Sequence, residues 1–248
     1  MNPFRIFPII TVKNDLAVQS YRYNQFRPLG SPLSLIKNYE RWCVDEILIN
    51  CIDATTRDKQ PNFELVKSVS ALKIRTPLTY GGGINSIEQA IKLIKSGCDR
   101  LLIECMFWRD PKTCMEIAKI LGQQALILSL PVRKNDEKIL RYDYISKRFY
   151  DIKTDDILRI EKTFSEVLFI DVQNEGISSS FSLDPNSLSL NGVGKILFGG
   201  ISDYSQVRKF SQNNSVNGCA IGNFALHKEL KVNMLRDFSA GARVRGTL

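Results

Sequence analysis

Two stretches of the chain carry one pattern, and that repeat constrains the fold more than any other feature. Pro77 to Ser86 reads PLTYGGGINS, and Lys195 to Asp203 reads KILFGGISD. Each is a short apolar run that ends in glycines and leads into an amphipathic stretch. Glu46-Ile-Leu-Ile-Asn50 is echoed by Glu166-Val-Leu-Phe-Ile170, and Val12-Lys13 by Val132-Arg133, both at an offset of 120 residues. Gly81-Gly82 and Gly199-Gly200 are offset by 118. In-phase matches of this kind mark a duplicated half-unit.

Eight short, nearly continuous apolar runs follow one another along the chain. They are Arg5–Val12, Glu46–Ile49, Pro77–Tyr80, Arg100–Ile103, Ala125–Leu130, Glu166–Ile170, Lys195–Phe198 and Gly218–Ile221. Runs without alternation suit strands buried on both faces, as in a parallel sheet. Helical patterns separate them at Pro32–Trp42, Asn62–Leu72, Ser86–Ser96, Asp110–Leu121, Thr154–Phe164, Asp203–Gln212 and Lys228–Phe238. Strict alternation with a two-fold repeat predicts an α/β protein, a single (β/α)8 barrel over residues 1–248 built from half-barrels of about 1–122 and 123–248. The chain's 248 residues match the usual size of that fold, about 250. Lys13 to Ser31 is long for a strand-to-helix connection and predicts a lid over the catalytic face. Val132 to Tyr150 predicts a small hairpin, with Ile139–Tyr142 as one arm.

Composition removes several classes. The six cysteines show no Cys-x-x-Cys spacing and the single histidine is His227, so neither a zinc site nor a disulfide framework is expected, and no metal or cofactor is implied. The formal charge of +8 comes from scattered bases without an aromatic-interleaved run. A positive mouth for an anionic or phosphorylated substrate explains the sign as well as nucleic acid does, and no nucleic-acid motif accompanies the bases. Met1 to Arg5 is not followed by a signal-like apolar segment, and no run nears the ~18 apolar residues of a membrane span. The expectation is a cytoplasmic protein.

In this fold chemistry gathers at the strand C-termini. Glycines there let backbone N–H groups approach a phosphate, with a helix N-terminus beyond. Gly82 and Gly83 on one side, and Gly176, Gly199 and Gly200 on the other, are the candidate phosphate-binding positions, with Lys13 and Asn223 beside them.

Taken together, Arg5-Ile6-Phe7-Pro8, Val44-Asp45-Glu46-Ile47-Leu48, Pro77 to Ile84, Ser96 to Arg100 and Gly199-Gly200 resemble the cyclase subunit of imidazole glycerol phosphate synthase over nearly the full length. The resemblance implies a barrel that receives ammonia from a glutaminase partner in a heterodimer. It implies an ammonia gate at the barrel bottom formed by Arg5, Glu46, Arg100 and Glu166, with Asp99 facing the glutaminase. It also implies two catalytic aspartates at the mouth, but those positions hold Thr11 and Pro131. Neither can move a proton as a carboxylate does, and each such group is ordinarily worth about 10²–10⁴-fold. Glu104-Cys105 replaces a phosphate-binding Asn-Thr, which sets a phosphate-repelling carboxylate beside the first glycine turn and leaves the Gly199-Gly200 side as the expected phosphate site. The remaining polar groups of the mouth are Lys13, Asn50, Asp53, Glu104, Arg133, Asp171 and Glu175, with Asp171 the carboxylate nominated for acid–base work.

This departure is similar to a branch of the family tied to bacterial surface glycans, in which a cyclase-like protein works with a glutaminase and a sugar amidotransferase to form an acetamidino sugar. The expected substrate is then a phosphorylated small molecule or a nucleotide-linked sugar. The alternatives are an authentic cyclase (lyase) of histidine biosynthesis, and a non-catalytic scaffold that activates the glutaminase.

Overall fold

A computed structural model describes residues 4–57, 59–135 and 138–226. His227 and the expected helix Lys228–Phe238 lie outside the described residues. Eight parallel strands close into a ring: β1 (Arg5–Lys13), β4 (Ile47–Cys51), β5 (Leu78–Gly81), β6 (Arg100–Ile103), β7 (Leu126–Asn135), β10 (Glu166–Asp171), β11 (Gly194–Phe198) and β12 (Val216–Ile221). Each pairs in parallel with its neighbour, β1 with β12, and β10 closes the ring on β7 in the register Glu166↔Ile127 to Asp171↔Val132. The fold is therefore the (β/α)8 barrel expected from the alternation.

Helices α1 (Pro32–Arg41), α3 (Phe63–Ser70), α4 (Ile87–Lys95), α6 (Pro111–Leu121), α7 (Thr154–Thr163) and α8 (Tyr204–Ser211) form the outer layer, with one-turn helices α2 (Ile52–Thr56) and α5 (Cys105–Arg109) after β4 and β6. The starts have chemical causes. The Ser86 hydroxyl accepts from the Gln89 N–H at 3.3 Å, and Asp110 accepts from the Thr113 N–H at 3.1 Å with Pro111 at the first helical position.

The strand runs are continuously apolar because both of their faces are buried. Odd positions of β1 and even positions of β4, β6 and β10 point inward. Phe7, Ile9, Leu48, Leu102, Ile127, Leu168, Ile196 and Phe198 thus fill the barrel interior as one cluster. The alternate positions, among them Ile6, Ile47, Leu101 and Phe169, pack outward against the helices. The same parity carries Arg5, Glu46, Arg100 and Glu166 to the bottom of the interior and Thr11, Asn50, Glu104 and Ser129 to its top.

Two connections differ from their expected form. Lys13 to Ser31 is not an irregular loop. It is an antiparallel hairpin, β2 (Leu16–Tyr21) with β3 (Gln25–Gly30), growing directly from β1. β7 runs on past Pro131 to Asn135 and folds into β8 (Lys138–Asp143) and β9 (Arg148–Asp151), three antiparallel strands in place of one hairpin. Pro131 is accommodated because β6 ceases pairing with β7 at Leu128, so its missing N–H leaves no ladder gap there. The first and fifth strands of the ring, which the sequence repeat relates, both carry such flaps over the mouth.

Candidate functional site

At the bottom the four inward charges form a closed circuit. Arg5 reaches Glu46 at 3.0 Å and also pairs with Glu166; Arg100 reaches Glu166 at 2.6 Å and Glu46 at 3.4 Å. The Thr79 hydroxyl donates to Glu46, and Arg100 Nε donates to the Gln124 carbonyl at 3.0 Å. Burial favours the neutral Arg5, yet Glu166 and Glu46 outweigh it and hold its pKa above the usual value. Burial likewise pushes Glu166 up, and Arg100 and Arg5 more than offset that, so its carboxyl sits below the ordinary range. Both shifts favour the charged forms of Arg5 and Glu166. Asp99 stands beside it, exposed, with its carboxylate accepting the Leu78 N–H at 2.8 Å.

At the top lies a cavity of about 580 Å³, within the range of small-molecule sites. Lys13, Asn50, Asp53, Gly82, Gly83, Glu104 and Ser129 line it from the barrel, and Tyr23, Phe26, Tyr142, Tyr144 and Phe149 line it from the two flaps. Gly82 and Gly83 have φ of +111° and +75°. A Cβ on Gly82 would stand 2.2 Å from the Cys51 carbonyl oxygen, so glycine is required for the turn to pass that close. The Gly83 N–H donates to Thr55 Oγ1 at 3.2 Å. Lys13 projects over the Phe26 ring with its ammonium 3.6 Å from the centroid. Asp53 accepts from the Asn14 N–H at 3.3 Å and has Arg57 at 3.5 Å and Lys59 at 3.8 Å, so its charge is compensated.

The second glycine set does not line this cavity. Ser180 and Phe181 donate their N–H groups to the Gly200 carbonyl at 3.0 and 3.3 Å, and a Cβ on Gly200 would meet Ser180 Oγ at 2.5 Å. Gly199 packs against the Asp171 carbonyl and Gly176 against that of Ser20. Asn223 spends its amide on the backbone of β2, accepting from Ser20 N–H at 3.3 Å and donating to the Ser20 carbonyl at 2.7 Å. These residues join the β10–β11 connection, β2 and the end of β12 into one tightly packed corner.

The carboxylates separate in the same way. Asp171 is fully buried, and its odd position on β10 turns it away from the interior. One oxygen accepts from Asn174 Nδ2 at 2.8 Å and from the Ser182 N–H and hydroxyl, both at 2.9 Å. It organises the connection after β10 and does not reach the cavity. Glu175 accepts from the Ser20 hydroxyl at 3.0 Å and the Tyr23 N–H at 2.9 Å, fastening the first flap; burial raises its pKa. Thr11 is buried beside Asn50, with which it pairs, and Arg133 stacks 3.7 Å over Phe149.

Glu104 is the carboxyl that the structure brings to the cavity without a cation in salt-bridge contact, among the described residues. Its Oε2 accepts from the Ser129 hydroxyl at 2.9 Å, and the Cys105 thiol lies 3.8 Å from Oε1. Burial pushes its pKa up to about 7 against the lowering effect of those two bonds. Reading its type alone suggested only repulsion of a phosphate. The signal that separates it from Asp171 is parity: Arg100, Leu102 and Glu104 alternate inward, whereas Asp171 falls out of phase with Glu166, Leu168 and Ile170.

Among the described residues no helix is long and apolar enough to cross a membrane. The histidine biosynthesis protein family matches residues 5–231. A Vibrio vulnificus (strain YJ016) protein provisionally named imidazole glycerol phosphate synthase subunit hisF2 is 28% identical over 233 residues, 92% of this chain and 85% of that protein. A Leptospira interrogans protein provisionally named imidazole glycerol phosphate synthase subunit HisF is 23% identical over 239 residues, covering 92% and 94%. The imidazole glycerol phosphate synthase subunit HisF of Exiguobacterium sp. (strain ATCC BAA-1283 / AT1b) is 31% identical over 148 residues, 60% of this chain and 58% of that protein. With 5–231 matched, the chain belongs to the histidine biosynthesis protein family, and its relatives place it with the cyclase-subunit barrels of imidazole glycerol phosphate synthase, at low identity.

Proposed function

We propose that this barrel takes ammonia from a glutaminase partner through its core and delivers it to a substrate at the mouth, in amidotransfer to a surface-glycan sugar, and that it does not close an imidazole ring. The observation that carries this reading is a contrast between the two ends. The bottom keeps a complete Arg5–Glu46–Arg100–Glu166 circuit, while the inward mouth positions Thr11 and Pro131 carry no carboxylate. Above the circuit the interior is lined by Phe7, Ile9, Leu48, Leu168 and Ile196. An apolar interior behind a charged rim suits a small neutral molecule and resists ammonium, whose desolvation in such surroundings is costly. That its relatives carry names of synthase subunits agrees with a partnered role. A sugar amidotransferase that consumes the product is part of the same reading.

The Asp171 geometry weighs against the cyclase alternative, since the carboxylate nominated to replace the lost aspartates is held away from the cavity. The test mixes the purified chain with the glutaminase subunit of the same cell. Association and increased glutamine turnover are expected, with turnover altered by Glu46→Gln. No rescue of a cyclase-deficient histidine auxotroph is expected from soluble, folded protein. A glutaminase that neither binds nor responds would sink the proposal, and so would clean rescue of the auxotroph.

A further inference from the structure

One inward line along β6 joins the two ends of the barrel. Arg100 belongs to the charged circuit at the bottom, Leu102 to the apolar interior and Glu104 to the cavity at the mouth. At a rise of about 3.3 Å per residue the carboxyl stands roughly 13 Å above the circuit, at the head of the interior. Its surroundings leave it able to take a proton. The Ser129 hydroxyl donates from β7 to Oε2 at 2.9 Å, whereas Oε1 faces the Cys105 thiol at 3.8 Å, a weak donor. Asp53, the other carboxylate of the cavity lining, is compensated by Arg57 and Lys59. The Tyr23 and Tyr144 hydroxyls line the same cavity, buried and bonded to no protein group, and can donate to a negative charge that develops there.

We propose that Glu104 is a catalytic base of this mouth, its Oε1 accepting the proton that ammonia sheds as it adds to a trigonal carbon. The nitrogen lone pair forms the C–N bond, the π pair of the carbon moves onto its heteroatom, and one N–H proton passes to Oε1. The carboxylic acid so formed returns that proton to the heteroatom, so charge and electrons balance without a redox partner. The groups facing Glu104 set its strength. Burial raises its pKa, the Ser129 and Cys105 bonds lower it, Asp143 raises it and Arg141 lowers it, leaving it at about 7. A base poised near the working pH is both available and strong enough to pull a proton. Tyr23 and Tyr144 face it from the flaps; burial, with the charges of Glu175 and Glu104, holds both phenols well above their usual pKa, so they remain donors. Lys13, Arg22, Asp53 and Lys147 are the other charged groups of the lining. The inference rests on the proposed delivery of ammonia to the mouth and deepens it, because it names the group that receives the proton.

The test is deuterium exchange at C1 of nitroethane in heavy water, followed by proton NMR, with the full chain and no glutaminase. The base takes the C1 proton, the C–H pair moves into the nitro group, and a deuteron returns by the same route. The chain is expected to exceed acetate at equal concentration by at least about 10²-fold. Its rate should rise with pH through an inflection at about 7. Glu104→Gln should lose both the acceleration and the inflection. Ser129→Ala removes a bond that lowers the Glu104 pKa, so exchange should persist with its inflection moved to higher pH, a shift that a merely structural carboxyl would not pass to the rate. Exchange no faster than with acetate, a Glu104→Gln chain that keeps the parent rate, or an inflection unmoved by Ser129→Ala overturns the proposal. Nitroethane exchange involves neither ammonia nor a partner, so a failure here is distinct from a failure of glutaminase pairing.

Discussion

Replacing Arg5 by methionine removes one of the two cations that join Glu46 to Glu166 across the floor of the barrel. The two carboxylates have side chains only 3% and 8% exposed, so water cannot take over the lost interaction. Arg100 remains, 2.6 Å from Glu166 and 3.4 Å from Glu46, and cannot compensate two buried charges. Removing one partner of such a group ordinarily costs about 3–5 kcal/mol. For a chain of this size each kcal/mol moves Tm by about 2–4 °C, so Arg5→Met should melt roughly 6–20 °C below the parent. The sign of the pH dependence follows from Glu166, whose folded pKa is lowered. Its stabilisation is present above the unfolded carboxylate range and fades as pH falls through the folded value. The gap between Arg5→Met and the parent should therefore narrow in acid. Adding Glu166→Gln removes the stranded charge, so the double variant should regain part of the loss. Scanning calorimetry of the three proteins across pH is the measurement. A shift of less than about 2 °C at neutral pH, or a double variant that melts below the single one, refutes a coupled ring.

Two further outcomes follow from particular contacts. Gly82→Ala puts a methyl 2.2 Å from the Cys51 carbonyl at a φ of +111°, and denaturant titration should show a loss of about 1–3 kcal/mol or more, with weaker phosphate binding at the mouth. Asp171→Asn replaces an acceptor of three hydrogen bonds with a side chain that also brings a donor, and amide exchange at 174–182 should speed up. Unchanged protection there contradicts a structural role for Asp171.

Much of the molecule was legible in the residues because parallel strands leave a local mark. Runs buried on both faces lose alternation, and all eight expected strands form the ring, with small changes of boundary except for the fifth, which runs on to Asn135. Arg5, Glu46, Arg100 and Glu166, which the family resemblance implies at the barrel bottom, each open one of those expected strands and so fall at one end. The lid over Lys13 to Ser31 was expected, but its form was not, because β2 and β3 depend on pairing that grows from β1.

The sequence by itself determined the barrel and its two ends, since those follow from residue type and periodicity along single strands, and the family resemblance added that Thr11 and Pro131 stand where the family carries aspartates. Only the tertiary structure decided which half of the mouth is open. Ser180 and Phe181 reach Gly200 from 20 and 19 residues before it, and Asn223 reaches Ser20 across 203. Tyr23 and Tyr144 meet above Glu104 from flaps on opposite halves of the chain. Such long-range approaches leave no local pattern, because they depend on how the closed ring brings distant connections over one shared opening.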